Sequence, residues 1–254
     1  MKPDSFARLA ANAQAGDRKS LTALLWQAHT PVSFQCRMIL RDEQAAQTLT
    51  RDILAAVPRQ LAYVKDPADF EKWICRVTAS RCMLALANLP KEENDEEPIL
   101  PEAPASDMNE EQTSQLVAQL VALLPEGPRV CMILYSCAGL KLKGIAQITD
   151  YPESQILEYL NLAQSTINQQ LRGYHKRGIH FTPIPALSSL LYTAMYASRD
   201  SRAAAMLASN VLPPKPAPVR RKFPVQKSLL IALAAAVVLL LVLLAVIVYM
   251  ETSV

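Results

Sequence analysis

The chain has 254 residues, 51% hydrophobic, 19% charged and 6% aromatic, with a formal net charge of +3. Its 6 glycines against 18 prolines argue against a turn-rich all-β fold, which needs glycine at many tight turns. No Gly-x-Gly-x-x-Gly and no Gly-Lys-Ser/Thr occurs, so the usual phosphate cradles are absent.

In chain order, residues 5–15 read as a short helix ending at Gly16. Asp17 is the expected N-cap of a helix to about His29, with Leu21, Leu24, Leu25 and Ala28 at the 3, 4, 7 spacing. A third helix is expected over 31–40. Asp42 or Glu43 starts a fourth, to about Leu61, which Pro58 kinks or ends early. Asp66-Pro67 marks a turn, and Asp69 is expected to cap a helix over 70–89. Trp73, Ile74, Val77, Cys82 and Leu86 are its expected core face.

Residues 90–111 hold nine of the 23 acidic residues and one basic residue, the composition of a solvated linker. Beyond it, helices are expected over 112–123, 129–137, 142–148 and 153–171. Gly139 separates the second from the third, and Asp150-Tyr151-Pro152 the third from the fourth. A short helix, a tight turn and a longer helix make a helix-turn-helix pattern. Residues 183–210 read as one helix or a broken pair with apolar stripes. These require cover: another part of this chain, a membrane surface, or a place in the helical core.

Residues 172–227 carry ten Lys/Arg against Asp200 alone, a charge pattern suited to nucleic acid or anionic lipid. Residues 229–250 are apolar without a charge, and at ~1.5 Å per residue they span ~33 Å, enough for a bilayer core. Arg220, Arg221, Lys222 and Lys227 precede this run. The positive-inside rule therefore puts residues 1–227 on the cytoplasmic side and the C-terminus outside, with Tyr249 at the far interface. No signal peptide is expected at the start.

The five cysteines include no Cys-x-x-C pair, and no histidine lies at zinc spacing. They read as buried thiols in a reducing compartment. No triad, paired carboxylates or metal cluster can be picked out, so a non-enzyme without a cofactor is expected.

The order and spacing of these pieces resemble bacterial RNA polymerase sigma factors of the extracytoplasmic-function type, over residues 5–89 and 112–175. Ala15-Gly16-Asp17 with Leu21, Leu24 and Leu25 is similar to the opening of the family's region two. The stretch from Ala46 through Asp52 to Leu54 sits where the family has Ala-Glu-Asp-Leu-x-Gln-Glu-Val-Phe. Phe70-Glu71-Lys72-Trp73-Ile74 and the following residues to Arg81 resemble its Phe-x-x-Trp-Leu-x-x-Ile-Ala-x-Asn. Leu124-Pro125-Glu126-Gly127-Pro128-Arg129 and Gly139-Leu140-Lys141-Leu142-Lys143-Gly144-Ile145-Ala146 resemble the opening motifs of region four.

The resemblance implies an all-α chain with region two-like (1–89) and helix-turn-helix region four-like (112–177) domains. The acidic linker (90–111) joins them. An amphipathic extension (178–211), a basic Pro-rich linker (212–227), a transmembrane helix (228–250) and a short outer tail (251–254) follow. It implies binding to core RNA polymerase through Gln47, Arg51 and Asp52. It also implies contact with the −10 and −35 promoter elements through Lys72, Arg76, Arg81, Gln155, Tyr159, Asn161, Gln164 and Arg172.

Two departures shape that expectation. Gln47, Thr48 and Arg51 replace polymerase-facing residues of the family, leaving Asp52 as the charge that is kept. Residues 153–171 contain no Lys or Arg, which weakens phosphate contacts there. A second reading follows: a sigma-fold interaction protein that binds a sigma or anti-sigma protein, or polymerase, without reading DNA.

Overall fold

A computed structural model describes residues 4–89, 100–102, 107–181 and 186–197. The described chain is all-α: α1 (Asp4–Gln14), α2 (Arg18–Leu40), α3 (Glu43–Gln60), α4 (Phe70–Leu86), α5 (Glu110–Ala122), α6 (Glu126–Ser136), α7 (Leu142–Thr149), α8 (Glu153–Lys176) and α9 (Leu187–Ala197). Two 3-10 turns, Leu61–Tyr63 and Pro67–Asp69, lead into α4. Among the described residues the β structure is limited to one isolated bridge, Met108 to Phe181.

The first half is built around α2. Leu24, Ala28, Val32, Cys36 and Ile39 recur at helical spacing and are fully buried, with α1, α3 and α4 packed around them. Leu24, Val32 and Ile39 each contribute about 1.5–3 kcal/mol on burial. Asp17 caps α2 by accepting from the Lys19 and Ser20 amides, and its hydrogen bonds lower its carboxyl pKa, the Ser20 hydroxyl first.

The expected break at Pro31 does not occur: α2 runs through it as one helix. Proline lacks the N–H for one rung of the ladder, at a cost of about 3 kcal/mol. Pro31 is itself buried with Ala28 and Val32 fully buried on either side, so the packing of this stretch in the core works against that cost. Asp69 is also corrected. Its side chain makes no capping bond at α4 and instead accepts from Lys72 Nζ at 3.3 Å. Asp66 caps the turn before it, accepting from the Ala68 amide at 2.9 Å. Trp73 is half-buried, its ring 5.7 Å from that of Phe70.

The second half is built around α6, whose Val130, Cys131, Ile133 and Leu134 are buried. α8 contributes Ile156, Ala163, Ile167, Leu171 and Tyr174 and continues past the expected end at Leu171 to Lys176. α5 begins inside the segment expected as a solvated linker. Asn109 and Gln112 form a reciprocal capping box there, Met108 is buried, and Tyr174 Oη donates to the Pro101 carbonyl at 2.6 Å. α9 buries Leu187, Leu190, Leu191, Ala194 and Met195 in contact with α5, α6 and α2.

All described residues fall in one compact unit, with α2 packed on α6 and α4 on α7. Among them no helix is long and apolar enough to cross a membrane. The basic linker at 212–227, the apolar run at 228–250 and the tail at 251–254 lie outside the described residues, as does the part of 183–210 beyond Ala197.

Candidate nucleic-acid interface

Three surfaces carry the residues selected from sequence. On α3, Ala46, Thr50, Ile53, Leu54 and Val57 face the core. At about 100° per residue Gln47 and Arg51 share one flank, while Asp52 lies about 140° round the helix from Gln47; all three are exposed, but the structure does not bring them onto one face. Gln47 Nε2 donates to Glu43 Oε1 at 2.8 Å.

On α4, Phe70, Ile74, Cys75, Thr78, Ala79 and Cys82 are buried. Lys72, Arg76 and Arg81 are exposed. Lys72 and Arg76, four apart, share one stripe. Arg81 lies about 180° round the helix from Lys72, so the structure does not bring all three cations onto one face. Between the basic positions sits Glu71, missed from sequence. Its carboxylate accepts from Tyr192 Oη at 2.7 Å and from Tyr196 Oη. The two tyrosines sit four apart on α9, and the sequence reading of this segment singled out neither. Burial first, and then the Glu71 carboxylate, push Tyr192 up to about 12 and raise Tyr196 as well. Glu71, Phe6, Glu111 and both tyrosines border a cavity of about 420 Å³.

The third surface is the α7–α8 corner. Gly139 (φ +61) ends the segment after α6, and Asp150 (φ +58) takes a left-handed conformation to close α7. The Asp150 amide donates to the Ala146 carbonyl at 3.1 Å. Pro152 then stands at the N-cap of α8. A short helix, a tight turn and a longer helix thus follow one another here, in the order the sequence leads one to expect. The outward stripe of α8 carries Ser154, Glu158, Asn161, Ser165, Arg172 and Lys176, all exposed. Gln164 is exposed on the flank.

Gln155 and Tyr159 depart from their expected outward role. Gln155 Nε2 donates to Tyr159 Oη at 2.8 Å. The Tyr159 ring stands edge-on to Tyr151 at 5.4 Å. It also covers Gly127 so closely that a Cβ there would come within 2.6 Å of Tyr159 Cζ. Tyr159 therefore packs the corner onto the start of α6, and Gln155 holds its hydroxyl. Burial, with lesser help from Glu126, raises the Tyr151 phenol. Beside the stripe lies a groove of about 390 Å³ bordered by Met132, Tyr135, Leu142, Leu157, Leu160 and Leu187. Leu157 is 49% and Leu162 50% exposed.

Arg129, near the start of α6, does not face solvent. It is 4% exposed, and its guanidinium donates to the Met38 and Ile39 carbonyls at 2.6 and 2.7 Å. These carbonyls sit at the C-terminus of α2, where the helix dipole favours a cation. Burial, and then Arg41, lower its pKa to about 10, so it stays charged at neutral pH. Among the described residues no group of His, Cys, Asp or Glu could hold a metal ion.

No protein-family model matches the chain, and no curated protein matches it either.

Proposed function

We propose that this chain is a membrane-tethered, sigma factor-like regulator of transcription initiation that binds core RNA polymerase and promoter DNA. The observation that carries the reading is the α7–α8 helix-turn-helix, whose longer helix turns a polar stripe outward and ends it with Arg172 and Lys176. The exposed Gln47, Arg51 and Asp52 on α3, and Lys72 and Arg76 on α4, support it as separate polar surfaces for polymerase and DNA. The uncharged run at 228–250 behind a basic segment supports the tether.

A specific observation favours the second reading, a sigma-fold interaction protein. The face of α8 exposes Leu157 and Leu162 beside Glu153 and Glu158, with no Lys or Arg from 153 to 171. Such a face suits protein better than phosphate.

Detergent-solubilised full chain is expected to co-purify with core polymerase and to bind promoter fragments with an affinity that falls as salt rises. Glu158→Lys should tighten non-specific DNA binding several-fold, because an attractive charge replaces a repulsive one on the groove-facing stripe. Lys72→Ala with Arg76→Ala should weaken binding at the −10 element. If DNA affinity is unmoved by these changes while polymerase or a sigma protein is still retained, the second reading replaces the first.

A further inference from the structure

All five cysteines are free and buried, yet two of them are not isolated. Cys36 on α2 and Cys82 on α4 lie with their sulfurs 3.6 Å apart, the Cys82 thiol donating to Cys36. A disulfide needs about 2.05 Å, so the sulfurs must close by roughly 1.5 Å, within reach of side-chain rotation and a small helix adjustment.

We propose that Cys36 and Cys82 are an oxidation-sensitive dithiol that closes to a disulfide between α2 and α4. The pair is asymmetric. Cys36 accepts from the Cys82 thiol and, less strongly, from the buried Thr50 hydroxyl, with Arg37 nearby. These favour its thiolate and lower its pKa against the opposing effect of burial. Cys82 is shifted the other way, first by its bond to Cys36 and then by burial. Cys36 is therefore the attacking sulfur and Cys82 the resolving one. By contrast, burial pushes Cys131 up to about 11 and Cys75 up to about 12, which disfavours their thiolates.

Both sulfurs are fully buried in the closed fold, so access requires local opening. Cys82 lies close to the end of α4 at Leu86, and the neighbouring Leu84 is 66% exposed. Terminal turns open at low free energy. The oxidant is hydrogen peroxide. The Cys36 thiolate attacks a peroxide oxygen, the O–O bond breaks, and a sulfenic acid and water form after proton uptake. The Cys82 sulfur then attacks the sulfenyl sulfur, loses its proton, and a second water leaves. Two thiols are oxidised by two electrons and one peroxide is reduced to two waters. The new bond pins the end of α4, next to Arg81, to the centre of the first half.

The test counts thiols rather than transcription, so its failure is distinct from failure of the proposed function. Full chain in detergent is treated with hydrogen peroxide, then denatured, alkylated and mapped by mass spectrometry. Alkylatable thiols should fall from five to three, with a recovered peptide pair joining Cys36 to Cys82, and dithiothreitol should restore all five. In Cys82→Ser, dimedone should label Cys36; in Cys36→Ser it should leave Cys82 unlabelled. Peptide mapping of the unmodified chain decides the matter even if a serine variant fails to fold. Retention of all five thiols, pairing of other cysteines, or oxidation only after global unfolding would overturn the proposal.

Discussion

Cys75 and Cys131 illustrate what burial does to a single titratable group. Both sit far from water, and the charged thiolate is the form that loses hydration. Unfolded, these thiols ionise near the ordinary value of 9.0; folded, they hold their protons to about 12 and about 11. Burial raises the Cys137 thiol in the same direction. Between those limits the folded state binds more protons, so stability falls as pH rises. Their contribution is complete below about pH 9 and is lost toward pH 12. Thermal melting of the solubilised chain should be level from pH 7 to 8 and decline above 9, and Cys75→Ala should flatten part of that decline. A melting temperature that stays constant to pH 11 would contradict this account.

Among the elements, the α7–α8 corner shows how the proposed DNA-binding corner would be held in place. Gly127 lets α6 approach the Tyr159 ring at a distance no Cβ tolerates. Gly127→Ala should therefore destabilise by about 1–2 kcal/mol through overpacking. The double variant with Tyr159→Leu should recover much of that loss, as urea denaturation will measure. Tyr159→Phe removes the acceptor of Gln155 and should cost about 1 kcal/mol. The proposed DNA contacts of Asn161 and Arg172, which point elsewhere, should be unaffected. If Gly127→Ala melts like the parent, the close packing at this corner is not limiting.

The same scale explains α2 and α4. The 3, 4, 7 spacing of Leu21, Leu24, Leu25 and Ala28 was legible in the sequence, as was the Asp17 cap, because both depend on neighbours along the helix. Continuation through Pro31 was not. It depends on the apolar environment around Val32 and Cys36, which α3 and α4 supply.

Over the whole molecule, the two halves are joined by contacts that a reading of local pattern does not reach. Arg129 reaches the end of α2 across 90 residues of chain, and Tyr192 reaches Glu71 across 121. α9 completes the assembly by burying Leu190, Leu191 and Met195 fully. At about 1.5–3 kcal/mol per side chain, its removal should cost roughly 5–10 kcal/mol, comparable with the total stability of a domain. A chain ending at Arg177 should accordingly lose cooperative melting by circular dichroism and become sensitive to protease. A truncated chain that melts cooperatively near the parent temperature would instead make α9 a dispensable cover.

What the sequence by itself determined is the all-α class, most helix boundaries, and the exposure of Gln47, Arg51 and Asp52 on α3, Lys72, Arg76 and Arg81 on α4, and Asn161, Gln164 and Arg172 on α8. These follow from periodicity, turn residues and capping, which act within a few residues. The tertiary structure alone decided that Arg129 is buried on α2, that Tyr159 packs inward and that Glu71 is held by two tyrosines. It alone set Cys36 beside Cys82. Each depends on the meeting of side chains far apart in the chain, and their positions are set by the packing of whole helices rather than by any local preference.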